Sequence, residues 1–342
     1  MKKLLSYLCL LALLLAPLAG CARRERKVGI LIYDKDDTFV SEMLAKMTAQ
    51  IPDDCTYVIR DGANSQAVQN QQIIELIKDG VSILLINAVD RSACGAIVEK
   101  CAAEDVPVIF FNREPLEDSM RGENTYYVGP AADRQGALQA EMVAGLFGGD
   151  FAGGRWDRNG DGVVQLVVLK GEQGHQDAEK RTTNCLSRLT QLGYQTQVLA
   201  ISVANWTRSE GYAAMETLYA EYGGDIELVF SNNDDMALGA IDYLTQKGVF
   251  AAHPDDENYD QPFVIVGVDG TAVGLEAVWQ GLLYGTVLND STAQADAVLR
   301  LMECMLGDGD LSDYPYDITS GNYIFVENGV IILRSDMSKF DK

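Results

Sequence analysis

The chain has 342 residues, 47% hydrophobic and 23% charged, the proportions of a globular protein and not of a disordered one. At ~100–200 residues per domain, it is long enough for two domains. Fifty Asp and Glu against 27 Lys and Arg leave a formal charge of −23. That excludes a nucleic-acid binder, which needs a basic face, and suits a neutral or cationic ligand.

Residues 1–20 read as a signal peptide. Lys2 and Lys3 give a positive start, and Leu4 to Ala19 is an apolar run of 16, short for a bilayer span of ~20. It ends in Leu18-Ala19-Gly20-Cys21. Small residues before a cysteine resemble a bacterial lipobox, which predicts cleavage before Cys21, lipid on its thiol and a polar tether over 21–27. The alternative is an ordinary secretion signal with an incidental cysteine. No later stretch is long and apolar enough to cross a membrane.

From residue 28 onward, short apolar runs alternate with helical patterns. Strands are expected at Val28–Tyr33, Tyr57–Arg60, Ile83–Asn87, Val108–Asn112, Gln165–Leu169, Gln195–Ile201, Glu227–Ser231, Val264–Val268 and Gly285–Leu288. Each reads as continuously apolar, as a strand covered on both faces should. Amphipathic stretches such as Phe39–Ala49, Gln69–Lys78 and Asp133–Phe147 lie between them. Strand-helix alternation implies right-handed βαβ units and parallel sheets. The rhythm breaks near Gly129-Pro130 and at the glycine-rich Gly148–Gly162. The fold class is therefore α/β, with two similar Rossmann-like lobes. Without Cys9 and Cys21, five of the seven cysteines remain, so at least one stays unpaired. Cys94 and Cys101 lie on one expected helix, ~10 Å apart in rise, too far for a disulfide. Free buried thiols are the expectation, and no Cys/His spacing suggests zinc.

In open parallel sheets, ligands sit beyond the carboxyl ends of the strands. Asp36, Asp37 and Phe39 follow the first strand, Asn87 the third and Asn112 the fourth. His175, Asp177 and Arg181 follow the Gln165 strand; further on come Trp206, Asn233, Asp269 and Asn289. Singly, such residues are helix caps, turn formers or core. Together they describe a site for a hydroxyl-rich ring. Hydroxyls need acceptors and donors, charged partners give the stronger bonds, and sugar C–H faces pack on aromatic rings. No GxGxxG follows the first strand, and the glycine stretch lacks the Lys-Ser/Thr of a phosphate loop.

The run Asp157-Arg158-Asn159-Gly160-Asp161-Gly162-Val163-Val164-Gln165 puts oxygen side chains at positions 1, 3, 5 and 9 of a calcium loop. Glycine stands at position 6, and the Val163 carbonyl is available at 7. The glutamate expected at position 12 is absent, its place taken by Val168. A distant carboxylate must complete the shell.

Five segments carry a resemblance across the mature chain to about Asp310: YDKDDTF from Tyr33, VPVIFFNREP from Val106, LKGEQGHQDAEKRTT from Leu169, SNNDDMALG from Ser231 and GTVLND from Gly285. They are similar to the periplasmic galactose/glucose-binding proteins, the substrate-binding components of methyl-galactoside-type ABC importers. The resemblance implies two α/β lobes joined by three crossovers and closing on one sugar, the type I periplasmic binding protein plan. It places an N-terminal lobe at 28–130 plus 290–322 and a C-terminal lobe at 131–289 plus 323–342. It implies that Asp37, Asn112, His175, Asp177, Arg181, Asn233, Asp269 and Asn289 hydrogen-bond the hexose, with Phe39 and Trp206 as stacking rings. It also implies structural Ca²⁺ held by Asp157, Asn159, Asp161, the Val163 carbonyl, Gln165 and Glu227. Asn87 is outside that set and is expected to be structural. His253–Gln261 looks like an acidic insertion, and the tail from Asn322 matches weakly.

The implied function is a monomeric, non-enzymatic receptor on the outer side of the membrane, anchored by lipid and serving a membrane ABC permease. A chemoreceptor or kinase as reader, or another monosaccharide as ligand, stays open. A glycosidase would need two carboxylates facing one bond, and Arg181 is expected to keep Asp177 ionised. A sugar-responsive repressor would need an N-terminal DNA-binding helix pair and no signal peptide.

Overall fold

The computed structural model describes residues 26–149, 151–250, 262–307, 310–319, 322–326, 331–333 and 335. The expected signal peptide, Cys21, most of the tether and the 253–261 insertion, with its last residue 261, lie outside them.

Two six-stranded sheets form the two lobes. The first contains β1 (Arg26–Ile32), β2 (Cys55–Asp61), β3 (Ile83–Ile86), β4 (Val108–Phe111) and β5 (Thr125–Pro130). Its helices are α1 (Thr38–Thr48), α2 (Gln66–Lys78) and α3 (Cys94–Ala102). After Pro130 the chain enters the second lobe with α4 (Ala132–Phe147). There follow β6 (Val163–Lys170), α5 (Gln176–Gln191), β7 (Gln195–Val203), α6 (Arg208–Tyr222), β8 (Leu228–Ser231), α7 (Asp234–Gln246), β9 (Val264–Asp269), α8 (Ala272–Trp279) and β10 (Gly285–Leu288). The chain then returns to the first lobe through α9 (Ser291–Met305), which packs on α1, β4 and β5. It ends in β11 (Tyr323–Val326) and β12 (Ile331–Leu333).

The strand orders are β11-β5-β4-β3-β1-β2 and β12-β10-β9-β8-β6-β7, the same doubly wound pattern twice. All described pairings between the strands of the two sheets are parallel except β10 with β12. β11 pairs with β5 in the first sheet, so the third crossover lies between Val326 and Ile331 and not at 322/323. β5, expected only as a break in rhythm, is a fully buried strand. Its Gly-Pro end hid it, because proline ends strand pairing and marks turns.

β3, β4, β5 and β8 are buried at every position, as expected under helices on both faces. β2 and β7 are not, because each is the edge of its sheet. Val198, Ile201 and Val203 on β7 are 40–47% exposed. Each lobe has an apolar layer on both sides of its sheet. Cys55, Cys94, Cys101 and Cys185 are buried free thiols, and Cys304 is a half-buried one. Burial pushes Cys94 and Cys101 up to about 12, so they stay inert thiols. Among the described residues, no helix is long and apolar enough to cross a membrane.

Candidate functional site

The carboxyl ends of both sheets face one cleft, and the ten residues expected there meet in one pocket. Its walls are Asp37, Phe39 and Asn112 from the first lobe, and His175, Asp177, Arg181, Trp206, Asn233 and Asp269 from the second, with Asn289 at the return crossover. Tyr33 and Arg113 complete it, and sequence reasoning missed both. Each follows the end of a strand, next to residues that were singled out. The pocket leaves about 30 Å³ for water, the room of a few molecules at most.

Capping and lining coincide here. Asp37 caps α1 by accepting from the Val40 N–H at 2.8 Å, and Asn233 caps α7 by accepting from Met236 at 3.0 Å. His175 caps α5, its Nδ1 accepting from the Asp177 N–H at 3.1 Å. That leaves the proton on Nε2, where it can be donated. Burial, with Arg113, Arg181 and Arg91 nearby, lowers the His175 pKa well below its usual value and keeps the ring neutral. The bland role and the functional one are the same placement, because a cap residue sits where a strand end meets a helix start.

Backbone strain marks the same place. Asn112, Trp206 and Asp269 have φ of +61°, +68° and +124°, which non-glycine residues rarely adopt. Such conformations persist where the surroundings over-determine them. Around Asn112, the Asn87 side chain accepts from the Tyr33 N–H at 3.2 Å. It also donates to the Phe111 carbonyl at 3.1 Å and to Asn112 Oδ1 at 3.0 Å. Asn87 is thus the brace that aims Asn112. Trp206 lies flat over Gly171, where any Cβ would come within 2.2 Å of its ring.

The first lobe carries a polar chain. Tyr33 donates to Asp37 Oδ2, and the Arg113 guanidinium lies 3.6 Å from the centre of the Tyr33 ring, a cation–π contact. The second lobe carries buried charge. Arg181 donates to Gln135 Oε1 at 2.8 Å and to the Asn232 carbonyl at 2.7 Å. It also stands 3.6 Å from both Asp177 and Asp269. Arg181 was expected to keep Asp177 ionised. It does pull that carboxyl down, but burial is the larger effect and pushes Asp177 up to about 6. Asp269 is raised as well, chiefly by burial, with Arg181 opposing and Asp234 adding repulsion. Asp177 Oδ1 and Trp206 Nε1 are buried without a hydrogen-bond partner. Two pocket-lining residues thus hold a buried acceptor and a buried donor without partners, a costly state.

The cleft is closed. Thr38 donates to Asp235 at 2.6 Å, Arg113 pairs with Glu172 at 3.0 Å, and Lys180 pairs with Glu114 at 2.9 Å. Each bond joins one lobe to the other.

In the loop at 157–165, Gly162 has φ of +74° and its N–H donates to Asp157 Oδ2 at 3.2 Å. Glu227, which precedes β8, accepts from the N–H groups of Arg158 and Gln165 at 2.7 and 3.0 Å. Asn159, Asp161 and Gln165 are hydrogen-bonded among themselves. Among the described residues, no three His, Cys, Asp or Glu side chains converge closely enough to hold a metal by themselves. Yet Asp157 Oδ1 and Gln165 Oε1 are both buried without a partner. An all-oxygen donor set with two orphaned buried oxygens has the chemistry of a hard-cation site.

A family profile described as a periplasmic binding protein domain matches residues 28–309. The D-galactose/methyl-galactoside binding periplasmic protein MglB of Haemophilus influenzae is 34% identical over 281 residues, 81% of this chain and 80% of that one. The ribose import binding protein RbsB of Escherichia coli is 27% identical over 263 residues, covering 76% of this chain and 78% of that one. A solved ABC transporter solute-binding protein from Bacillus halodurans, with bound myo-inositol, shares the fold at a TM-score of 0.75 and 23% identity, over 93% of this chain and 97% of that one. The repeated doubly wound lobes, the cleft between them and these matches agree: the chain belongs to the periplasmic binding protein family.

Proposed function

We propose that the chain captures one hexose in the closed cleft, D-galactose or D-glucose, with methyl-galactoside as a third candidate, and delivers it to a membrane ABC permease. The observation that carries this is the pocket's composition. Three aromatic side chains, Tyr33, Phe39 and Trp206, share a small space with carboxylates, amides, an imidazole and two guanidinium groups, which suits a ring bearing both C–H faces and hydroxyls. The relative at 34% identity is named for galactose and its methyl glycoside. The role is binding, not turnover: Asp177 and Asp269 are both engaged with one guanidinium, that of Arg181, and the similar proteins are named for the solutes that they bind. Closure of the lobes is the signal a permease reads, and a chemoreceptor would read the same state.

Calcium is part of the proposal. Asp157, Asn159, Asp161, the Val163 carbonyl, Gln165 and Glu227 would hold it, and its charge would offset three carboxylates and pin the loop to the start of β8. So is the anchor. Cys21 would carry lipid, so Cys21→Ser should release the protein from membranes with binding intact; equal retention on membranes contradicts the anchor.

A thermal-shift panel of glucose, galactose, methyl-galactoside, ribose, xylose and arabinose tests the ligand class. At a ligand concentration 100 times Kd, stabilisation reaches about 2.7 kcal/mol. One of the hexoses should raise the melt most. A response confined to a pentose replaces the hexose by another monosaccharide, and no response to any sugar overturns the reading.

A further inference from the structure

We propose that Asn159 is a site of spontaneous deamidation, through attack by the backbone nitrogen of Gly160, and that a cation seated in the loop at 157–165 protects it. The protection rests on the calcium reading above and deepens it. The reactive pair stands without it.

Among the described asparagines, Asn159 alone precedes a glycine. Deamidation brings the nitrogen of the next residue against the side-chain carbonyl carbon, and a Cβ on that residue crowds the approach. Gly160 has none, and a Cβ built there would meet nothing within 4 Å. Its φ of +74° is one that glycine adopts without steric cost. Among the described residues, its N–H has no hydrogen-bond partner, so no bond has to break before it reacts. Asn159 and Gly160 are both exposed, and water reaches them.

The amide is also held for the attack. Asn159 Oδ1 accepts from the Asp161 N–H at 2.9 Å. That bond folds the side chain back along its own backbone and polarises its carbonyl. Nδ2 donates to Asp161 Oδ2 at 3.0 Å. Two other exposed asparagines show the contrast. Asn64 is followed by Ser65, whose N–H is bonded to the Gly62 carbonyl at 2.9 Å, and Asn205 by the bulky Trp206.

The step needs water as its only co-reactant. The Gly160 nitrogen bonds to Asn159 Cγ, the Cγ–Nδ2 bond breaks, and the displaced nitrogen leaves as ammonia with the proton that Gly160 gave up. Water then opens the cyclic imide. Opening at Cγ leaves an ordinary aspartate. Opening at the original peptide carbonyl leaves an isoaspartate, in which the backbone runs through the former side chain. Nothing is oxidised or reduced. The first product puts a carboxylate where Nδ2 had donated to Asp161. The second lengthens the backbone, so that Asp161, the Val163 carbonyl and Gln165 lose their register with Asp157. A cation bound as proposed would take Asn159 Oδ1 as a ligand and hold the side chain off the Gly160 nitrogen.

The test uses the full protein, stripped of metal or loaded with Ca²⁺, held warm at neutral pH. Peptide mapping by mass spectrometry follows the conversion of amide to acid, and isoaspartyl methyltransferase counts isoaspartate. In stripped protein, acid should accumulate at Asn159 ahead of Asn64 and Asn205. If only the loop without cation reacts, the rate at Asn159 should fall about 100-fold when Ca²⁺ is at 100 times its Kd. The second Asn-Gly step of the sequence, Asn328-Gly329, is the reference in the same digest, and its rate should not change. Asn159→Gln, which keeps the amide on a longer arm, should remove the signal from that peptide. No acid at Asn159 in stripped protein overturns the site. Equal rates at Asn159 with and without Ca²⁺, in protein whose melt Ca²⁺ raises, overturn the protection. If Ca²⁺ leaves the melt unchanged, the calcium reading falls together with the protection, and acid at Asn159 decides the site alone.

Discussion

The two lobes build opposite halves of one pocket by different means. The first lobe presents groups already satisfied by their neighbours. Asp37 is tied to Val40 and Tyr33, and Asn112 is aimed by Asn87. The second presents buried charge that its neighbours only partly satisfy. Asp177 and Asp269 are both raised by burial against the pull of a single Arg181, and Asp177 Oδ1 has no partner. The first half is a template, preorganised at little cost. The second is a half whose buried carboxylates are held above their usual range, and hydroxyl donors from the proposed sugar would ease that cost. Affinity should therefore depend on pH through the second lobe, and shape selectivity on the first.

The sharpest way to break that contrast is to remove the shared cation. Arg181→Met leaves two buried carboxylates facing each other, a change that costs about 3–5 kcal/mol. The melt of the sugar-free protein should fall by roughly 10 °C, and sugar binding should be lost. A variant that melts like the parent would mean that the charges of the second lobe are not held by Arg181. Metal removal is next in size and lies outside the cleft. Chelation followed by re-addition of Ca²⁺ should lower and then restore the melt, by up to about 2.7 kcal/mol at a hundredfold excess over Kd. Affinity for sugar should change little, and an unchanged melt in stripped protein rules calcium out.

The third effect is pH. With the pocket empty, Asp177 titrates near about 6, above its unfolded value, so its contribution to folding stability is lost as pH rises through that window. Hydroxyl donors favour the carboxylate. Sugar binding should release a proton near pH 6, and affinity should weaken by up to about tenfold per unit below it. A flat affinity between pH 5 and 7 would place the sugar contacts elsewhere.

Much of the plan was legible in the sequence because periodicity reports burial. Nine apolar runs marked strands to within a few residues, and the residues after them converge because parallel strands deliver their ends to one edge. What was not legible is instructive. β5 hid behind its own Gly-Pro ending. β11 and β12 are only four and three residues long, too short for a period-2 signal. Tyr33 read as the last residue of an apolar strand, and Arg113 as a charge after Asn112. Neither the positive φ of Asn112, Trp206 and Asp269 nor the brace at Asn87 leaves a local trace, since both arise from contacts across the fold. The balance at Asp177 was misjudged for a similar reason. Spacing along α5 shows that Arg181 is near, but only the packed structure shows how deeply both are buried.

The cleft is proposed to close on a hexose through the charges of the second lobe and the ring of Trp206. Titration calorimetry with galactose and glucose at pH 7 tests it most directly, with Trp206→Ala as the control. At least one of the two should bind at micromolar or tighter affinity, weakened in the variant by about 2 kcal/mol, or roughly 30-fold. No heat with either hexose, alongside clear binding of a pentose, an amino acid or a peptide, would contradict it.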